Sequence, residues 1–215
     1  MNNYSTDLLD FLNASPVNVF AVKETARRLE AEGYRHINAE DRITDIKAGD
    51  KIFVTKNDSS IYAFHIGKKS LGEGGFHIIG AHSDSPTFRI KPNAEMTSER
   101  GITKLNTEVY GGAILCTWFD RPLSIAGRVI VRSNDVMNPE TKLLCIKRPI
   151  LIIPNLAIHF NRQVNDGVAL SKQKDMLPIL GIVNSELERG NLLVNLITEE
   201  LGIKNTDILD FDLYL

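Results

Sequence analysis

The sequence lacks most of the features that would commit it to a specialised environment or a nucleotide cofactor. Only two cysteines occur in 215 residues, Cys116 and Cys145. Each lies inside an apolar stretch and in no CxxC or other paired spacing, which excludes a disulfide framework and predicts two reduced core thiols. No charge of one sign dominates: 25 Lys and Arg stand against 27 Asp and Glu, a net of -2. That balance leaves no field to draw the chain onto nucleic acid or an anionic membrane. No stretch approaches the roughly 18 consecutive apolar residues of a membrane helix, and Met1 to Asp7 carries no basic region followed by an apolar run. A soluble, cytoplasmic protein is therefore expected. The glycine-rich link Gly72-Glu-Gly-Gly75 is neither GxGxxG nor a Walker loop followed by Lys and Ser or Thr, which argues against nucleotide binding. What remains is 43% hydrophobic and 24% charged, free of repeats and long enough for one large domain or two modest ones.

Along the chain the apolar periodicity changes. Val19, Val22, Ala26 and Leu29 recur at helical spacing, with Asn18 as N-cap and Gly33 just past the last periodic residue. Lys51 to Thr55 and Ser60 to Ile66 then read as a hairpin around Lys56-Asn-Asp-Ser59. The run Phe76-His-Ile-Ile-Gly-Ala-His82 is apolar on both faces, as expected of a strand buried in a sheet covered by helices. From about Asn93, consecutive β-rich runs follow at Val109–Trp118, Ile125–Val131 and Leu143–Ile153. Such a switch predicts a second domain, with residues 1–92 forming an α/β part and 93–215 a β-rich part with flanking helices. Leu193, Ile197 and Leu201 give one more helix, ended by Gly202, and Asp210 to Leu215 alternate like a half-buried strand. A chain that stops inside a strand suggests a truncated one.

The densest chemistry is Gly80-Ala-His82-Ser-Asp84-Ser-Pro86. Ligands bind at the C-terminal ends of strands in open α/β sheets, and residues two apart in an extended segment share a face. His82 could thus bind a metal while Asp84 orients it or acts as acid or base beside it. A catalytic zinc takes three protein ligands and a water, so others must come from elsewhere. His36, His65 and His77 read as surface or satisfied core residues. His159 ends an apolar run and precedes polar residues, the pattern of an emerging loop tip. Glu199-Glu200 sits in the last turn of an amphipathic helix, where adjacent side chains diverge by about 100°, and reads as a solvated helix end. Asp120-Arg121-Pro122 is either a recognition turn or a structural pair at a strand exit.

Taken together, these segments resemble the M18 family of zinc aminopeptidases, the aspartyl aminopeptidase and aminopeptidase I group. The matching segments, in family order, are Ser15-Pro16 with Ala21-Val22, Gly49-Asp-Lys-Ile-Phe-Val-Thr55, Gly80 to Pro86, Val109-Tyr-Gly-Gly112, Thr117-Trp-Phe-Asp-Arg121, Ala126-Gly-Arg-Val129, Ile153 to His159, Gln173 to Pro178 and Asp207 to Leu213. They span nearly the whole chain. The resemblance implies an incomplete α/β/α metallopeptidase domain followed by an inserted β-rich dimerisation domain. It implies that His82 is a zinc ligand, that Asp84 orients and polarises the metal site, and that His159 reaches into a neighbouring subunit's active site. Two zinc ions per complete site, peptide substrates, and dimers assembled into a tetrahedral dodecamer are implied as well. Nucleic acid and membrane partners are not.

Against the family pattern, the bridging Asp, the catalytic Glu pair, a further Asp and a C-terminal His are expected beyond this chain. Glu199-Glu200-Leu-Gly202 mimics the family's Glu-Glu-Ile-Gly signature but matches a helix of the dimerisation domain. Val19-Phe20 stands where many members have Phe-His. Two readings follow: the front half of a metal-dependent aminopeptidase, inactive by itself and poorly covered around Phe76 to Ala81, or a truncated paralogue that partners a full-length enzyme.

Overall fold

A computed structural model describes residues 3–98, 101–182 and 190–215 and divides the chain into two units, Met1–Ser85 and Pro86–Leu215. The division falls upstream of the expected Pro92, because the first strand of the second sheet already starts at Thr87.

The first unit opens with α1 (Tyr4–Ala14), an element the sequence reading did not anticipate. It ends at Ala14 because Ser15 precedes Pro16, whose ring disfavours the helical conformation in the residue before it. It buries none of its own residues and is tied to α2 (Asn18–Ala31) through polar groups. The Arg28 guanidinium donates to the Asp7 carboxylate at 2.9 Å and lies 5.2 Å over the Phe11 ring. In α2, Val17 takes the cap position expected of Asn18, which is instead the first helical residue, its Oδ1 accepting the Val19 N–H at 2.8 Å. Val19, Ala21 and Val22 are buried, Ala26 and Leu29 are half-buried, and Gly33 leaves the helix at φ +82°.

Glu24 is gripped by Arg27 at 2.7 Å and Arg28 at 2.8 Å, and these hydrogen bonds hold its carboxyl at about 2, below the ordinary 4.5. A depressed folded-state value means that this stabilisation is complete above about pH 4.5 and is lost as the pH falls toward 2. The urea midpoint of the chain should therefore drop across that window, and Glu24→Gln should flatten the drop. An identical pH profile in the variant would remove Glu24 from the account.

The first sheet has the order β1 (Arg35–His36), β2 (Lys51–Lys56), β3 (Ser60–His65), with β1 parallel and β3 antiparallel to β2. The expected hairpin is present. Its turn residues Asn57 and Asp58 adopt φ of 51° and 54°, the left-handed pair of a turn whose twist matches the strands. His36 stacks on the buried Phe53 ring at 4.8 Å, a structural role.

After the single helical turn α3 (Leu71–Gly74), residues 75–86 join no ladder. The expected buried strand at Phe76 to His82 is not formed: Phe76, Ile78 and Ile79 are 74%, 85% and 100% exposed. A strand exists only where neighbours take its backbone N–H and C=O groups, and among the described residues none does so here.

The second unit is a six-stranded antiparallel sheet. Its strands are β4 (Thr87–Thr97), β5 (Ile102–Tyr110), β6 (Ala126–Val131), β7 (Glu140–Cys145), β8 (Ile179–Ile182) and β9 (Ile208–Tyr214), in the order β7-β6-β9-β4-β5-β8. β4 carries Pro92 where its register with β5 shifts between Ile90 and Glu95, a position at which a missing N–H interrupts no ladder bond. The β-rich run expected from Val109 to Trp118 ends at Tyr110 and gives way to a short 3₁₀ turn, Leu115–Trp118, that leaves Cys116 exposed rather than in the core. Both thiols are free.

α4 (Leu192–Leu201) covers one face of the sheet, as its periodicity predicts. The Glu95 carboxylate accepts the Leu193 N–H at 2.7 Å at its start, and Gly202, at φ +63°, ends it. Leu193 and Ile197 pack with Leu105, Val129, Leu144 and Leu213, each burial worth roughly 1.5–3 kcal/mol. A second cluster joins Phe88, Ile153 and Met176, with Trp118 edge-on to Phe88 at 4.7 Å. On the other face, Glu108, Arg89, Asp212 and Arg128 alternate in charge across β5, β4, β9 and β6. Burial and the Asp212 carboxylate push the neighbouring Tyr214 phenol up to about 12, so it stays neutral.

Gly127 marks the tightest approach in the sheet. A Cβ there would lie 2.1 Å from the Asp212 carbonyl oxygen and 2.9 Å from the Leu213 Cα, and its φ is +154°. Gly127→Ala should destabilise the second unit by about 4 kcal/mol, at the upper end for one substitution, because backbone would have to move. An unchanged urea midpoint would show that β6 and β9 separate freely. No described helix is long and apolar enough to cross a membrane.

Candidate functional site

The 75–85 segment of the first unit is held near its end by Ser83, whose hydroxyl donates to the Ser59 carbonyl in the β2–β3 turn at 2.9 Å. Beside it the backbone bends, so His82 and Asp84 meet by curvature rather than by the two-residue alternation of a strand. The His82 Nδ1 lies 2.7 Å from the Asp84 carbonyl oxygen and 3.2 Å from its carboxylate Oδ1. A carbonyl oxygen only accepts, so Nδ1 carries a proton, and in the neutral imidazole Nε2 keeps its lone pair. The imidazole is 80% exposed. A histidine with one nitrogen held by oxygen acceptors and the other open is the form in which imidazole ligates a metal.

The fit to zinc is that of one ligand. Among the described residues no group of three or more His, Cys, Asp or Glu side chains is placed to hold a metal ion. His82 supplies a donor already oriented by Asp84, and the described residues do not complete the set that a catalytic zinc requires.

In the second unit, His159 lies in a turn of a long loop after Ile153, closed by the Phe160 N–H donating to the Ala157 carbonyl at 2.8 Å. It is exposed, as the sequence suggests, and so are its neighbours Leu156, Ile158 and Phe160, at 61%, 52% and 82%. Both ends of the loop are fixed. At the entry, Phe119 bridges Ile153, the Asp120 N–H donates to the Ile153 carbonyl at 2.9 Å, and the Asp120 carboxylate accepts the Asn155 N–H at 2.9 Å. At the exit, the Asp175 carboxylate accepts the Ser171 N–H at 2.7 Å and Met176 is fully buried.

The sequence left Asp120 as either a recognition turn or half of an Asp–Arg pair; its bonds go to the loop stem instead. Its backbone sits at φ +57°, a left-handed conformation that Asp and Asn tolerate better than most residues. Glu199 and Glu200 lie exposed in the last turn of α4, with Glu200 paired to Arg148 at 3.0 Å, which accords with a solvated helix end. His77 is exposed within the segment that forms no strand. His82 and His159 belong to different units.

Comparison with known proteins gives these residues a context. The chain is 52% identical over 212 residues to a probable M18 family aminopeptidase 2 of Clostridium acetobutylicum, covering 99% of this chain and 49% of that protein. It thus spans about half the length of the curated relatives it matches. Among solved structures it is similar to a chain in the cryo-EM structure of the Ape4 and Nbr1 complex, with TM-score 0.89 and 35% identity, over 97% of this chain and 43% of that one. The S. cerevisiae mApe1 dodecamer shares the fold, with TM-score 0.80 at 21% identity, over 99% of this chain and 47% of that one. A family model described as aminopeptidase I zinc metalloprotease matches residues 11–215, and the chain belongs to that family, M18.

Proposed function

We propose that this chain is the part of a zinc aminopeptidase that carries its first metal ligand and its subunit-joining domain, and that the whole protein removes N-terminal residues from peptides. The observation that carries the reading is the His82–Asp84 pair, in which Asp84 oxygens accept the Nδ1 N–H and leave the Nε2 lone pair open to a metal. His82 would hold one of two zinc ions and Asp84 would fix the tautomer and ring orientation. Bound zinc supplies Lewis acidity toward the scissile carbonyl and activates water. The remaining ligands and the general base are assigned to the half of the relatives' length that this chain does not span.

The second unit acts as the dimerisation domain in this reading, and His159 acts in trans. The exposed Leu156, Ile158 and Phe160 give the loop apolar surface to bury against a partner subunit, while His159 at the turn offers a ring N–H to substrate or to the developing oxyanion. The mApe1 neighbour is a dodecamer, which supports a homo-oligomer. The 215-residue chain alone is expected to bind zinc weakly and to lack peptidase activity.

The test is the intact mass of the protein from its native source, paired with a chelator-sensitive aminopeptidase assay on the same sample. A mass about twice the 24.0 kDa of this chain, with activity lost on chelation and on N-acetylation of the peptide, supports the reading. A 24.0 kDa protein without activity overturns it and favours the truncated partner subunit.

A further inference from the structure

The loop bearing His159 leaves the packed part of the second unit at Ile153, which is fully buried, and within two residues its backbone is exposed. A long exposed segment holds a side chain in place only if its stem is fixed, because every unconstrained dihedral at the stem is amplified at the tip. The exit is secured by Met176 and by the Ser171 to Asp175 bond. At the entry, pairing between the chain segments ends with the Phe119–Ile153 bridge, and beyond it one side chain continues the restraint. That side chain is Asp120, whose N–H reaches the Ile153 carbonyl and whose Oδ1 reaches the Asn155 N–H, both at 2.9 Å. The two bonds clasp the stem on either side of Pro154. Asp120 makes both bonds from a left-handed φ of +57°.

We propose that Asp120 is the positioning residue for His159, acting as a hydrogen-bond acceptor that sets the direction in which the loop leaves the domain. The inference rests on the reading of His159 as a residue that works in a neighbouring site. The acceptor, and neither the charge nor the backbone conformation alone, carries the function. Three substitutions separate these possibilities. Asp120→Asn keeps an oxygen acceptor and tolerates the left-handed backbone. Asp120→Gly adopts that backbone without strain but has no acceptor. Asp120→Ala loses both.

The experiment is steady-state aminopeptidase kinetics on the full-length protein, with each substitution made alone and in a His159→Ala background. Asp120→Ala and Asp120→Gly should lower kcat roughly ten- to a hundred-fold, the scale on which a misplacement of about 1 Å acts, and leave KM within about two-fold. Asp120→Asn should restore kcat. In the His159→Ala background Asp120→Ala should add no further loss, because a residue that acts only through His159 has nothing left to position.

A Gly variant with full activity would assign the effect to backbone conformation, and an Asn variant as poor as Ala would assign it to charge; either overturns the proposal. Losses that multiply between Asp120→Ala and His159→Ala would show an independent structural role and overturn it too. A silent Asp120→Ala beside a damaging His159→Ala refutes the Asp120 assignment alone, whereas a silent His159→Ala refutes the reading on which it rests. Amide exchange at Asn155 in the 215-residue chain provides a readout independent of activity: exchange should quicken in the Ala and Gly variants and hold in Asn, and equal rates in all would mean that the bond restrains nothing.

Discussion

Replacing His159 by Ala is expected to lower kcat of the full-length enzyme by about 10²- to 10³-fold, the usual cost of removing one donor aimed at a developing oxyanion, while KM changes little. His159 is exposed at a loop turn, and the described contacts within its own unit give it no partner that would explain its position. The trans arrangement can be separated from an ordinary active-site histidine by mixing. A His159→Ala chain keeps its His82, and a His82→Ala chain keeps its His159. Co-assembled dimers of the two contain one complete site each, so random mixing of two inactive proteins should recover about a quarter of the sites, as two-fold pairing requires. No recovery, with dimers verified by mass, would mean that each subunit uses its own loop.

The second large effect is expected at His82. If the proposed two-zinc reading holds, His82→Ala should abolish high-affinity zinc binding at one position, read by competition with a chromophoric chelator and by the absorption of the cobalt-substituted protein. Asp84→Asn should weaken zinc binding about 10- to 100-fold, the range measured for partners that orient a ligating histidine. The difference between the two variants is diagnostic. A ligand removes its metal when deleted, whereas an orienting carboxylate leaves a site that fills at higher zinc. Equal zinc stoichiometry and affinity in His82→Ala and the unsubstituted protein would exclude His82 as a ligand.

Much of this fold was legible in the sequence, for reasons that differ between elements. The β2–β3 hairpin, α2, α4 and β9 were readable because each carries its own signal: alternation around Asn57-Asp58, a helical stripe from Val19, another from Leu193 closed by Gly202, and alternation through Asp210 and Asp212. α1 was missed although Tyr4, Leu8 and Leu12 recur every four residues, because no side chain of that helix is buried and its attachment to α2 is polar. The Phe76 to His82 run misled in the opposite direction. Its composition is that of a central strand, but a strand's hydrogen bonds belong to its neighbours, and composition does not report whether those are present.

The same distinction applies to the site. His82, Asp84 and His159 stand out as candidates by residue type, spacing and resemblance, whereas the bend that brings Asp84 onto His82 is a backbone feature no local pattern announced. The link from Asp120 to Asn155 joins residues far apart in sequence, and nothing near Asp120 names its partner.

The order of strands has a consequence for how the protein is made. β4 with β5 and β6 with β7 are neighbours in sequence as well as in space, so each hairpin can close as soon as it leaves the ribosome. β9 comes last, yet it lies between β6 and β4 and is the strand through which the two hairpins become one sheet. Until Ile208–Tyr214 has been synthesised, the nascent chain presents two bare strand edges that could pair with another chain. The interval between the synthesis of β7 and that of β9 is thus a period in which this polypeptide needs chaperone cover.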